Sequence, residues 1–355
     1  MPSIEYELRD WEDVRSENSW PTLLIGNGAS VNLWSHYRYE SLFARTRFST
    51  PVNKVFTELD GTNFEEALEF IRHGRVVAEA LEHSTAEYLG LYDEIKNGLF
   101  DAVNSAHLPH NRFSIDRKLR IADYLVETHQ RVFTTNYDLT IYWSLMADKT
   151  KYLKLITDHF SGNPRDFGDE LYFDPYAGVD SFRRPTALFY LHGAIHLWQD
   201  DETGENGKWR SVDHANLLQL GARYSASETK RPLFVSEGNH KEKLRTIMRS
   251  PYLWFCIETL ANDRGDTVVF GHSLSERQDM HIASALAHSA KEKQIAISLR
   301  PDSAASLRFK MAYFEEKFSN TKHKLHFFDS TTHPLGDPAL TIPEEDWPSL
   351  LAKAK

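Results

Sequence analysis

The chain has 355 residues, enough to bury a large core, and this length fits one large domain with insertions or two smaller domains. Its hydrophobic content of 41% and charged content of 26%, with no excess of glycine or proline, exclude extended disorder. The formal net charge of -10 argues against a protein that mainly holds a phosphate backbone. Direct nucleic-acid binding is therefore not expected.

The single cysteine, Cys256, cannot form an internal disulfide or a four-thiolate zinc site, which fits a reducing compartment. A metal site built on His192 and His196 lacks a third ligand at matching spacing, so no metal is expected. The charged first 17 residues lack the apolar stretch of a signal peptide, and no apolar run is long enough to cross a bilayer. We expect a cytoplasmic protein with no membrane partner.

Short apolar runs in chain order predict the strands of a sheet. The runs at 22–25, 131–133, 187–191 and 267–270 each end directly in small or polar residues, and 294–299 and 324–328 indicate two further strands. Helical patterns lie between them, including Phe64, Leu68 and Ile71, and a capping box of Ser275 with Gln278 that opens a helix over 276–288. This alternation predicts an α/β fold with a Rossmann-like, doubly wound parallel sheet.

The spacing of the predicted strands also suggests how the chain is divided. About 70 residues of helical pattern, roughly 53–125, separate the first two core strands and are too long for a simple crossover. We interpret them as a helical insertion, and about 199–262 as a smaller mixed insert. The predicted catalytic domain covers 20–330, followed by a C-terminal tail at 331–355.

Two glycine-containing turns follow predicted strands and open helices. In Gly26-Asn27-Gly28-Ala29-Ser30, backbone N–H groups near a helix N-terminus are suited to a diphosphate. A tight turn without a ligand remains the alternative, since Val31 stands where a dehydrogenase fingerprint has its third glycine. In the second turn, Gly271 and Ser273 are suited to phosphate or ribose oxygens, with a capped turn as the alternative.

The other two strand ends carry groups suited to catalysis. In Thr134-Thr135-Asn136-Tyr137-Asp138, the amide of Asn136 can hold a water without titrating, and the carboxylate of Asp138 can orient it. An Asx turn in which Asp138 caps the next helix is the alternative. His192-Gly193 places an imidazole, a potential general base, beside a glycine that leaves room for a ligand. Taken alone, such a histidine is more often a satisfied core or surface residue.

In order, GNGAS, TTNYD, LHG and GHSLSERQD resemble the motif series of the sirtuin superfamily. The segments 231–238, 243–244 and 250–253 resemble a bacterial sirtuin-like family, domain of unknown function 4917. The resemblance implies NAD bound between a Rossmann-like domain and a smaller insert, with Asn136, His192 and Asp138 in the catalytic pocket. The residues expected to bind NAD are Gly26, Asn27, Gly28, Ser30, Thr135, Gly193, Gly271, Ser273 and Ser298.

The sequence departs from protein-deacylating sirtuins, because it lacks the four-cysteine zinc module and the loop that follows their glycine motif. The resemblance then implies an NAD glycohydrolase that releases nicotinamide and ADP-ribose, as in effectors of antiphage defence. The alternatives are a catalytically weak NAD or ADP-ribose sensor or scaffold and, less favoured, a deacylase or ADP-ribosyltransferase. A homo-oligomer is expected, with a defence-system partner such as an ATPase. The choice between NAD and NADP stays open, because no ribose-reading acid or arginine stands out.

Overall fold

The computed structural model describes residues 8–152, 154–162, 170–178, 185–209, 220, 223–224, 226–235, 239–288 and 292–343. Residues 344–355 of the predicted tail, 210–219 of the predicted mixed insert and 236–238 of one family motif lie outside these ranges. The strands are β1 (Thr22–Ile25), β2 (Arg131–Thr134), β3 (Ile156–Thr157), β4 (Phe160–Ser161), β5 (Glu170–Phe173), β6 (Thr186–Tyr190), β7 (Gly193–Asp200), β8 (Asn206–Trp209), β9 (Lys230–Phe234), β10 (Thr267–Phe270), β11 (Gln294–Leu299) and β12 (Lys324–Asp329). The helices are α1 (Trp11–Glu17), α2 (Asn27–Leu33), α3 (Tyr39–Phe43), α4 (Thr50–Glu58), α5 (Phe64–Ala80), α6 (Ala86–Ala106), α7 (Ile115–Thr128), α8 (Thr140–Leu145), α9 (Lys149–Tyr152), α10 (His240–Ile247), α11 (Pro251–Ala261), α12 (Glu276–Ala287) and α13 (Ala304–Phe318).

Seven strands form one parallel sheet in the order β12-β11-β10-β1-β2-β6-β3. The sheet contains all six strands predicted from the sequence, with ends that differ by one residue at most. The predicted Rossmann-like α/β fold is therefore confirmed. The edge strand β3, only two residues long, is the strand that the apolar runs did not indicate.

The parallel sheet is buried along its centre, which explains why its strands read as continuous apolar runs. Every residue of β1 and of β10 is buried. The surrounding helices α2, α7, α11 and α12 contribute Leu33, Leu125, Leu260 and Leu286 to the same apolar core. Because the strands point the same way, their carboxyl ends meet along one edge, where the predicted polar motifs all lie.

Helices α4, α5 and α6 occupy most of the predicted helical insertion and have an apolar core of their own. The predicted stripe of Phe64, Leu68 and Ile71 forms the buried face of α5 in this second core. Helix α7 differs, because its Ile121 and Leu125 are buried in the core of the parallel sheet. The segment 53–125 thus supplies a separate helical layer and one helix of the main fold.

A second, antiparallel sheet has the strand order β4-β5-β8-β7-β9. Strand β6 leads through Leu191 and His192 directly into β7, so His192 lies where the two sheets meet. Strands β4 and β5 and most of β7 come before the predicted mixed insert, whereas β8 and β9 lie within it. None of the described helices has the length and apolar character that a membrane span needs.

Gly193 begins β7 with a φ of 76°, and a Cβ added there would lie 2.0 Å from the carbonyl oxygen of Leu233. Gly204 has a similar φ of 73°, but nothing lies within 4 Å of its added Cβ. We expect Gly204→Ala to lower the free energy of unfolding by about 1 kcal/mol, the cost of left-handed backbone alone. Gly193→Ala should cost about 3 kcal/mol, because the backbones of β7 and β9 must also separate. Urea unfolding compares the two variants, and equal losses would contradict the steric argument.

Candidate active site

The turn after β1 packs directly against the turn after β10. The N–H of Gly26 donates to the carbonyl of Phe270 at 2.9 Å, and the N–H of Gly28 donates to the carbonyl of Gly271 at 2.9 Å. A Cβ at Gly26 would lie 2.5 Å from the Gly271 oxygen, and one at Gly271, whose φ is 64°, would lie 2.8 Å from the Ala29 nitrogen. Glycine is required here because the two backbones touch.

This contact changes what the first glycine turn can offer a ligand. The sequence suggested that the N–H groups of Gly26 and Gly28 bind a diphosphate, but both already donate hydrogen bonds to carbonyl groups of the protein. The N–H of Ala29 likewise donates to the Gly26 carbonyl at 3.2 Å. The reason is the tight packing of the two turns, which pairs these donors within the protein. Three of the backbone donors at this turn are thus occupied by protein carbonyls.

Two cavities adjoin at Gly271, His272 and Ser273, which line both of them. The smaller, here called the catalytic cavity, has a volume of about 180 Å³, and the larger, here called the outer cavity, about 790 Å³. Of the predicted site residues, the catalytic cavity is lined by Asn27, Thr135, Asn136, Asp138, His192, Gly271 and Ser273. The outer cavity is lined by Gly28, Gly271, Ser273 and Ser298.

Asn136 is buried and fixed by its amide nitrogen. Its Nδ2 donates to the carbonyl of Gly26 at 3.1 Å and to the hydroxyl of Ser30 at 2.8 Å. Because the Gly26 carbonyl can only accept, the nitrogen must occupy this side of the amide. The Oδ1 atom has no hydrogen-bond partner among the described residues. A buried acceptor without a partner is costly in a folded protein, so this oxygen is suited to receive a hydrogen bond from a ligand.

Asp138 is occupied by contacts within the protein. Its Oδ2 accepts from the Ser30 hydroxyl at 2.5 Å, and its Oδ1 accepts from the Thr140 N–H at 2.8 Å and from the Thr140 hydroxyl. The Asx turn considered from the sequence is thus present, although the N-cap residue of α8 is Leu139 and not Asp138. Ser30 links Asp138 to Asn136 and lines neither cavity, so its position is that of a support beneath the site. Gly26 and Gly193 also lie outside both cavity walls.

His192 is paired with a second histidine, His281 on α12. Their Nε2 atoms are 2.8 Å apart, so one nitrogen donates a hydrogen bond and the other accepts it. The two rings are stacked, with their centroids 5.0 Å apart. Burial, followed by the positive charge of Lys243, lowers the pKa of His192 well below its ordinary value. The same two causes lower the pKa of His281 to about 3. Burial and the charge of Lys243 thus favour the neutral form of both imidazoles, which can accept a hydrogen bond but are weaker bases than an exposed histidine.

A buried ion-pair cluster forms another wall of the catalytic cavity, and the sequence did not indicate it. The ammonium of Lys243 lies 2.8 Å from Glu65 Oε1 and 3.4 Å from Asp279 Oδ1. Burial by itself lowers the pKa of Lys243, but the charges of Glu65 and Asp279 outweigh it and the pKa is raised. Asp279 interrupts α12 with a non-helical φ of -126°, a kind of irregularity that often accompanies functional sites. Among the described residues, no group of three or more histidine, cysteine or acidic side chains is arranged to hold a metal ion.

A family model, Domain of unknown function (DUF4917), matches residues 23–335. The chain belongs to this family. No curated protein matches the chain. Among solved structures, the chain is similar to one described as "Structural Basis for the Mechanism and Regulation of Sir2 Enzymes", with 12% identity, a TM-score of 0.36 and coverage of 92% of this chain and 93% of the other. Another, "Structure of Sir2Tm bound to a propionylated peptide", has 11% identity and a TM-score of 0.34, with coverage of 86% of this chain and 96% of the other.

The neutral histidine pair makes the stability of this DUF4917 protein depend on pH. The pKa of His281 is lower in the folded chain, about 3, than its ordinary value of 6.5, so the unfolded chain binds the extra proton first as pH falls. The contribution of neutral His281 to the free energy of unfolding is complete above pH 6.5 and is lost as the pH falls toward 3. From pH 7.5 to pH 5, this one group should lower the free energy of unfolding by about 2 kcal/mol.

The measurement compares the native chain with His281→Gln by urea unfolding at pH 7.5 and pH 5. The variant should lose about 2 kcal/mol less between the two pH values, whatever its stability at pH 7.5. The comparison uses the difference between the two pH values, so a general loss of stability in the variant does not affect it. Identical pH dependence in both proteins would contradict a neutral, buried His281.

Proposed function

We propose that this DUF4917 protein is an NAD glycohydrolase that releases nicotinamide and ADP-ribose. The observation that carries the proposal is the shared cavity of Asn136 and His192. There a buried amide oxygen without a protein partner and a neutral imidazole line the same space of about 180 Å³. These are groups that can orient a water molecule and accept its proton.

The arrangement of the two cavities fits an elongated dinucleotide. The catalytic cavity suits the nicotinamide riboside end, and the outer cavity, with a volume of about 790 Å³, has room for an adenosine diphosphate portion. The Gly271–Ser273 turn between them lies at the carboxyl end of β10, where open parallel sheets bind nucleotides. The motif series that resembles the sirtuin superfamily supports NAD as the substrate.

The chemistry requires little from the protein beyond placement. The bond from ribose C1′ to the nicotinamide nitrogen breaks with its electron pair moving to the nitrogen, so nicotinamide leaves as a neutral molecule and needs no acid. Water then forms the new bond to C1′ of the cationic sugar, and the proton that water loses passes to His192 and on to solvent. Asn136 Oδ1 would accept a hydrogen bond from that water or from a ribose hydroxyl, while Ser30 and Asp138 hold the amide in place.

A role as an effector of antiphage defence belongs to the same proposal and is supported by the motif resemblance. The chain has no zinc module of the deacylase type, because Cys256 is its only cysteine and is buried. Assembly into a homo-oligomer and control by a defence-system partner such as an ATPase complete the proposal. A sensor or scaffold that binds the same ligand without cleaving it is the competing function.

Substitution of the two central residues tests the proposal. Asn136→Ala and His192→Ala should each lower nicotinamide release by about 10²- to 10⁴-fold, since each removes a group that acts on the reacting water or sugar. Nicotinamide release by the purified chain is measured by chromatography. The NAD content is measured separately in cells that produce the protein. Asn262→Ala, a change at an exposed helix end, is the matched control. Turnover retained in either site variant would refute the assignment, and stable ADP-ribose binding with no nicotinamide release would favour the sensor.

A further inference from the structure

The outer cavity is positively charged in a protein of net charge -10. Three of its lining residues are cations, Arg38, Arg300 and Lys310, and none of the described residues that line it is an aspartate or glutamate. The ammonium of Lys310 lies 2.8 Å from Asp302, which neutralises it. Within the described part of the chain, no carboxylate forms an ion pair with Arg38 or Arg300. The cavity is therefore suited to a ligand with more than one negative group.

The two unpaired guanidinium groups come from different parts of the sheet edge. Arg38 is the N-cap residue of α3, beyond the helix α2 that begins at the first glycine turn, whereas Arg300 directly follows β11. Strand β11 is separated from β1 by β10, so its end lies about 10 Å from that turn. At this distance from the glycine turns, Arg300 is suited to an anionic group that is separate from the diphosphate and further along the ligand.

Strand β10, the Gly271 turn, α12 and β11 form a βαβ unit of the kind that binds a mononucleotide. Strands β10 and β11 are parallel neighbours, and the hydroxyl of Ser298 accepts a hydrogen bond from the Gly271 N–H at 2.9 Å. In such units, a carboxylate at the end of the second strand hydrogen-bonds the ribose 2′-hydroxyl, and an arginine there accommodates a 2′-phosphate. At this position the chain has Ser298, Leu299 and Arg300. The next carboxylate along the chain, Asp302, lines neither cavity and is paired with Lys310.

The same cavity offers an apolar surface for a base. Phe309 lies on its rim with 76% of its surface exposed, and Tyr313 and Phe314 also line it. An exposed phenylalanine at a cavity rim provides a stacking surface for a purine. Together with Arg300, this surface is complementary to a phosphorylated adenosine.

We infer that Arg300 recognises a 2′-phosphate on the adenosine ribose, so that the substrate class is the 2′-phosphorylated dinucleotide, NADP, in preference to NAD. This inference rests on the proposed function for the reacting end of the ligand, but it concerns the opposite end, and the same cleavage of NADP would release nicotinamide and 2′-phospho-ADP-ribose. The planar guanidinium can donate two parallel hydrogen bonds to the phosphate, which an ammonium does not reproduce.

Calorimetry of the full chain with adenosine fragments tests the inference without any turnover. Adenosine 2′,5′-bisphosphate should bind about tenfold tighter than 5′-AMP, as expected for one charge-assisted, two-point contact. Arg300→Ala should remove this preference and leave 5′-AMP affinity within about twofold. Arg300 is exposed, so the variant is expected to fold. Arg308→Ala is the control, because Arg308 is an exposed arginine of α13 that lines neither cavity.

The outcomes separate this inference from the proposed function. Equal affinity of the native chain for adenosine 2′,5′-bisphosphate and 5′-AMP would overturn the 2′-phosphate assignment. So would a loss of affinity in Arg300→Ala that is equally large for both ligands. Tighter binding of adenosine 3′,5′-bisphosphate would also overturn it, because the phosphate would then belong on the other hydroxyl. Nicotinamide release from NAD and NADP is assayed separately: its absence beside selective fragment binding removes the glycohydrolase proposal and leaves the role of Arg300 intact.

Discussion

The backbone contact between the turns after β1 and β10 is the constraint on which the candidate site depends. Two hydrogen bonds join the turns, and the absence of side chains at Gly26, Gly28 and Gly271 allows the backbones to touch. The contact orients the Gly26 carbonyl, which in turn holds the amide of Asn136. It also makes the Gly271 turn the common wall of the two cavities. A side chain at either turn would separate β1 from β10 at the point where both cavities meet.

The two cavities differ in how their charges are balanced. In the catalytic cavity, the buried ammonium of Lys243 is matched by Glu65 and Asp279, because an unpaired charge in the protein interior is very costly. The same ammonium favours neutral forms of His192 and His281. In the outer cavity, Arg300 is exposed and can remain charged in contact with water at little cost. The cation of the catalytic cavity is thus paired within the protein, whereas the outer cavity carries positive charge that a ligand can neutralise.

The contacts of Ser30 and Asp138 show how tertiary packing can change the part that a residue plays. The sirtuin resemblance implied that Asp138 lies in the catalytic pocket and that Ser30 binds NAD. In the structure the Ser30 hydroxyl donates to Asp138 and accepts from Asn136, and the second oxygen of Asp138 begins the turn into α8. These bonds hold the Asn136 amide in one orientation. Ser30 comes from α2, and Asn136 and Asp138 come from the loop between β2 and α8. The spacing of Asn136 and Asp138 is visible in the sequence, but their link through Ser30 depends on how these two segments pack.

The sequence by itself determined the six strands, the α/β class and the identity of the strand ends that bear polar groups. It could do so because buried parallel strands are continuous apolar runs and because their carboxyl ends share one edge. Only the tertiary structure decided which side chains meet there. Glu65 reaches Lys243 from the helical layer, across 178 positions of the chain, and His281 reaches His192 across 89. Such long-range contacts depend on how helices pack on the sheet, and hydrophobic periodicity carries no record of them.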